Sequence, residues 1–104
     1  MAATILYVTA ESTDEALRIG RILVGERLAA CANVISGTTA IYWWEGTVQE
    51  GMEAVLVLKT RADLVDAATA RIKAVHSYDC PCVIACTVAG GNRQFLDWIE
   101  KETA

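Results

Sequence analysis

Three side chains suited to a soft metal ion stand close together in the run His76-Ser77-Tyr78-Asp79-Cys80-Pro81-Cys82. Imidazole suits copper, zinc, iron and nickel, while thiolates select soft ions such as Cu(I) and Zn(II). Pro81 stiffens the backbone between the thiols. In extended chain, residues two apart point the same way with Cα atoms ~6.6–7 Å apart, so one ion can bridge them. A structural zinc site takes four ligands with C-x2–4-C pairs, which this run does not supply. Two- or three-coordinate Cu(I) fits better, or a zinc completed by water or a neighbouring subunit. Blander readings stand beside these. His76, the sole histidine, can cap a helix C-terminus by meeting its last carbonyls. Cys80 and Cys82 can be small surface thiols, or can form a strained, easily reduced disulfide.

The other two cysteines read differently. Cys86 alternates with Ile84 and Val88 along a strand and lies ~13 Å from Cys82, too far to share an ion within one extended segment. Free cysteine is among the most buried residue types, so Cys86 is expected in the core. Cys31 opens a strand after an Ala-rich stretch. Trp43 and Trp44 are adjacent and on a strand must face opposite ways, one inward and one into an interface. Glu53 and Lys59 share one face of a later strand. They read either as a surface ion pair or, where subunits meet, as the lining of a cleft with Tyr42 and Trp44 that holds a small anion.

The elements that position these groups follow from hydrophobic pattern. Alternation predicts a strand over Thr4–Thr9. Ser12 with Glu15 forms a capping box for a helix running to about Arg27, with Ala16, Ile19, Ile22 and Leu23 inward. Residues 33–44 and 52–60 are rich in Val, Ile, Thr and aromatics and predict two long strands, with Glu45-Gly46 and Glu50-Gly51 bracketing the turn. Thr60 and Asp63 read as a second capping box, before a helix whose apolar face is Leu64, Ala68, Ile72 and Val75. Val83–Val88 predicts a fourth strand. Gly90-Gly91 ends it, and Asn92 caps a helix carrying Phe95, Leu96 and Ile99. The order β-α-β-β-α-β with an extra C-terminal helix predicts an α+β, ferredoxin-like sandwich with an antiparallel sheet.

Length and composition narrow the function. At 104 residues the chain reads as a single domain, 1–104. Counting the seven glycines in place of the three tyrosines raises the apolar fraction from 54% to about 58%, against a usual ~45–50%. That excess, with middle strands longer than two helices can cover, predicts an oligomer whose sheet extends across subunits. A net charge of −4 with scattered basic residues excludes a nucleic-acid footprint. No run approaches the ~18 apolar residues of a membrane span. The opening stretch lacks the basic region of a signal peptide, which predicts a cytoplasmic protein. In that compartment four cysteines are expected as free thiols.

The blocks Tyr7-Val8-Thr9, Glu26-Arg27-Leu28-Ala29-Ala30-Cys31-Ala32-Asn33, Tyr42, Trp44, Gly46, Glu53, Lys59-Thr60, His76-Ser77-Tyr78, Pro81, Leu96, Trp98 and Ile99 together resemble CutA, the divalent-cation tolerance family. The resemblance covers nearly the whole chain and is carried by the order and spacing of the blocks. It implies a ferredoxin-like homotrimer, tolerance of copper and other divalent ions, no established enzymatic reaction, and a likeness in fold to the PII signalling trimers. It also places Cys31 near the subunit junction of the histidine, as a further ligand candidate. Two positions depart from the family: Ser77 stands where it usually has Pro, and Cys82 where it usually has Glu. The second change removes a hard oxygen ligand or a charged interface partner.

Three functions compete on these residues. One is a non-enzymatic trimer that binds metal ions, with copper or another divalent or soft ion on His76, Cys80, Cys82 and Cys31. The second is a PII-like sensor holding a small anion in intersubunit clefts and acting through an unidentified protein partner. The third is a thiol catalyst using Cys82 with His76 as base. It is the weakest, because no carboxylate beyond Asp79 is at hand to orient the base.

Overall fold

Leu6, Val8 and Ala10 are fully buried on one side of the first strand while Tyr7 on the other is exposed, and this period-two alternation sets the layers of the molecule. The computed structural model describes residues 2–104; Met1, the first residue of the expected domain, lies outside them. The order is β1 (Ala3–Ala10), α1 (Thr13–Gly25), β2 (Cys31–Trp44), β3 (Thr47–Arg61), a 3-10 turn (Ala62–Leu64), α2 (Val65–Val75), β4 (Val83–Thr87) and α3 (Arg93–Glu102). The strands form one antiparallel sheet in the order β2-β3-β1-β4. This is the ferredoxin-like α+β sandwich that the element order predicts.

The core lies between the sheet and two helices. Leu6 and Val8 of β1 and Leu56 and Leu58 of β3 meet Ala16, Ile19 and Leu23 of α1 and Ala68 and Ile72 of α2. Each large side chain buried this way contributes roughly 1.5–3 kcal/mol. Gly20 lets α1 approach closely: a Cβ there would stand 3.2 Å from Leu56 Cδ1 and 3.3 Å from Ala32 Cβ. The Ser12 cap forms as expected, its Oγ accepting from Glu15 N at 3.1 Å. The helix stops at Gly25, short of the expected Arg27. Arg27 turns left-handed at φ +63°, and Leu28 N–H returns to Leu23 O at 2.9 Å, a Schellman closure made without glycine.

The second capping box does not form. Thr60 is fully buried, and its hydroxyl donates to Leu28 O at 2.7 Å. It is the penultimate residue of β3, and no side chain caps α2. The hydroxyl is turned to a tertiary acceptor, away from the Asp63 amide that it was expected to cap. Asn92 does cap α3, its Oδ1 accepting from Gln94 N.

The middle strands extend well past β1. Pairing of β1 with β3 ends at Ala10↔Ala54, while β2 and β3 stay paired to Trp44↔Thr47. The outer part is a two-stranded arm in a molecule measuring 44 × 25 × 22 Å. At its root the β2–β3 register shifts between Ile35 and Thr38, with Gly37 at φ +73°, as in a glycine bulge. The turn is Glu45-Gly46 alone, at φ +48° and +80°, both positive as a type I′ hairpin requires. Glu50-Gly51, expected to bracket the turn, is instead within β3.

Candidate functional site

The chain between α2 and β4, residues 76–82, carries the predicted metal ligands and is pinned by hydrogen bonds to three elements. His76 Nε2 lies 2.8 Å from the carbonyl oxygen of Thr9 in β1. A carbonyl only accepts, so Nε2 carries the proton and Nδ1 is left as an acceptor. Nδ1 takes the N–H of Tyr78 at 3.0 Å. The imidazole therefore caps no carbonyl of its own helix: Val75 O is taken by Arg18 Nη2 at 2.7 Å. Ser77 N–H donates to Glu15 Oε2 at 2.8 Å, and the Tyr78 hydroxyl donates to Glu53 Oε2 in β3 at 3.0 Å. The His76 and Tyr78 rings stack obliquely, with centroids 4.9 Å apart.

Glu15 is the hub of this network, and sequence reading saw it only as half of a capping box. Its Oε1 accepts from Glu11 N at 3.1 Å. Burial pushes its carboxyl up, but the hydrogen bonds from Ser77 and Glu11 and the nearby His76 outweigh burial and hold it below the ordinary carboxyl value. The Tyr78 phenol is pushed up to about 12, first by burial, then by its hydrogen bond to Glu53 and by the charges of Glu53, Glu11 and Glu15. Sequence reading singled out His76 and Glu53 separately, and Tyr78 only within the block His76-Ser77-Tyr78.

With both ring nitrogens engaged, His76 has no lone pair free for an ion. Among the described residues no group of three or more His, Cys, Asp or Glu side chains is arranged to hold a metal. The predicted trio of His76, Cys80 and Cys82 is thus not assembled within one chain. The thiols remain available: all four cysteines are free, Cys80 exposed and Cys82 half-buried. Cys31 is half-buried at the start of β2, on the strand farthest from β4. Cys86, expected in the core, is exposed. It stands on the edge strand β4 and pairs with Ile5 of β1, and from Ile84 to Thr87 this edge is exposed on both faces.

The predicted cleft residues are spread along the hairpin. Lys59 Nζ donates to Asn33 Oδ1 at 2.8 Å and lies 5.6 Å from the centroid of the Phe95 ring, a cation–π contact. Glu53 is held by Tyr78. The expected Glu53–Lys59 ion pair does not form, since six residues of strand separate the two by ~20 Å on one face. Tyr42 and Trp44 lie on the arm, opposite Gln49 and Thr47. Within one chain the four do not form a cleft.

The topology and the protruding arm define a ferredoxin-like protein with an unpaired two-stranded extension and a thiol-bearing connector. The chain belongs to the CutA1 divalent ion tolerance family, whose profile matches residues 4–102. A chloroplastic CutA 1 protein of Oryza sativa subsp. japonica is 42% identical over 95% of this chain, which spans 56% of that relative's length. The chain thus spans about half the length of such plant relatives. The divalent-cation tolerance protein CutA of Thermus thermophilus is 40% identical, with 95% of this chain and 96% of the relative covered. The crystal structure of CutA1 from Oryza sativa superposes with a TM-score of 0.97 at 40% identity, covering 100% of this chain and 95% of that one. A structure from Archaeoglobus fulgidus, described as a periplasmic divalent cation tolerance protein, gives 0.95 at 35%, covering 98% and 99%.

Proposed function

We propose that this chain is the one-domain subunit of a homotrimer that binds soft or divalent metal ions, copper among them, and confers tolerance to them without catalysing a reaction. The observation that carries the assembly is the arm. Beyond the bulge, Ile41, Trp43, Val48 and Met52 share one side of it, with exposures of 68%, 75%, 55% and 66%. Tyr42 and Trp44 lie on the other side. Two apolar faces on a two-stranded ribbon are not stable in water. Partner subunits that pack on both faces and extend the sheet remove this exposed surface.

The ligands are Cys80 and Cys82, the donors left once His76 is spoken for. Two thiolates flanking Pro81 suit a two- or three-coordinate Cu(I) ion. Hard cations that take six or more oxygens find none in this pair. A third ligand, Cys31 included, comes from a neighbouring subunit. The names of the relatives attach divalent-cation tolerance to this fold, and four unpaired cysteines suit a reducing, cytoplasmic setting. A protein partner reads the loaded state.

Native mass spectrometry of the reduced protein titrated with Cu(I) tests both halves. A trimer mass with up to one copper per subunit is expected. Cys80→Ser with Cys82→Ser keeps the trimer and loses the copper. A monomeric mass overturns the assembly, and copper retained by the double variant overturns the site.

A further inference from the structure

His76 joins the Thr9 carbonyl of the sheet to the Tyr78 amide of the α2–β4 connector in one protonation state only. Its Nε2–H donates to Thr9 O, and its unprotonated Nδ1 accepts from Tyr78 N–H. In an imidazolium both nitrogens carry protons, so the Tyr78 amide would then face a donor. Imidazole is the side chain that ordinarily changes charge between about pH 5 and 8.

We propose that His76 is a proton-operated latch: the neutral Nε2–H tautomer closes the connector through Tyr78, and protonation opens it there. The two nitrogens respond differently. A charged ring keeps its bond to the Thr9 carbonyl, because Nε2 still donates. Glu15 of α1, an anion held below the ordinary carboxyl value, attracts the charged ring, so the ring itself stays in place. What is lost is the Tyr78 amide contact, and with it the positioning of the phenol that donates to Glu53. The other charged groups around the ring are accounted for. Glu11 precedes α1 and gives its amide to Glu15. Arg18 of α1 is occupied by Val75 O and lies 3.7 Å from Glu15. Glu53 of β3 reaches the ring only through Tyr78. Ser77 N–H on Glu15 Oε2 is untouched by ring protonation, so opening is confined to the residues after it, which lead into Cys80 and Cys82. The consequence for metal loading rests on the thiol reading above; the latch itself does not.

The test uses the full chain in its native assembly, metal-free, with 15N labelling, from about pH 8 down to about pH 5. Imidazole nitrogen shifts should show the proton on Nε2 at the upper end. Across the ring's titration the Tyr78 amide should lose about three- to tenfold of its exchange protection, corrected for the intrinsic rate, as expected for one hydrogen bond. The Leu56 amide in β3 should be unchanged. In His76→Asn the amide oxygen can accept from Tyr78 N–H at every pH, so the pH dependence should vanish there. A proton on Nδ1 at the upper end, Tyr78 protection constant through the titration, or a parallel loss at Leu56 overturns the latch. Because no metal is present, these outcomes are independent of whether Cys80 and Cys82 bind copper.

Discussion

Tyr78 donates its hydroxyl to Glu53 in a half-buried setting, and this one contact makes a residue of the connector measurable from outside. Burial and the hydrogen bond to Glu53 push its phenol up to about 12, against an ordinary value of 10. Ultraviolet titration should therefore resolve a late tyrosine, and Tyr78→Phe should remove it. The neutral phenol is favoured in the fold, so its contribution is complete below about pH 10 and is lost as pH rises through about 12. Glu15 works in the opposite direction. Its carboxyl is held down in the fold, so its contribution is present above the ordinary carboxyl value and fades as pH falls through the lowered native one. Glu15→Ala removes a charged acceptor of the Glu11 and Ser77 backbone amides. It should cost about 2–3 kcal/mol at neutral pH and flatten the acid limb of a stability–pH curve measured by denaturant unfolding.

At the level of elements, local signals were legible wherever the chain satisfied its own backbone. The Ser12 and Asn92 caps and the Glu45-Gly46 turn are short-range chemistry, and all three form. Thr60 shows where that reading stops, since its hydroxyl donates to Leu28 O from a loop thirty-two residues earlier and caps no helix. The hairpin turn gives a paired prediction. Gly46→Ala forces a Cβ into φ +80° and should lower stability by about 1 kcal/mol. Glu45→Asn places a residue tolerant of positive φ where Glu now sits at +48°, and should raise it by a few tenths of a kcal/mol. Thermal melts of the two variants should shift in opposite directions. If both fall, the turn is strained by something other than φ.

For the whole molecule, the sandwich and the arm have separate energetics. Leu56 is buried against α1 in the sandwich, and Leu56→Ala should cost about 2–5 kcal/mol in any assembly state. Trp43 is 75% exposed on the arm of the single chain. Trp43→Asp should leave the subunit fold intact by circular dichroism yet shift sedimentation towards the monomer, because a charge would be buried unpaired in an apolar contact. A Trp43→Asp protein that keeps its parent's mass would place the subunit contact off this side of the arm.

Element order, the sheet it builds and the apolar surplus were all legible in the residues alone. Hydrophobic period and turn chemistry are local, and right-handed crossovers leave few ways to join the pieces. Also legible there was that Trp43 and Trp44 face opposite ways, since a strand has period two. Only the tertiary structure decided what each polar side chain does. Whether His76 binds an ion, caps a helix or bridges to Thr9 depends on which acceptor lies within hydrogen-bond reach, and that acceptor came from a strand sixty-seven residues away. The same holds for Cys86: alternation assigned it a face, but strand order put β4 at the edge of the sheet, where Ile84 to Thr87 are exposed on both faces.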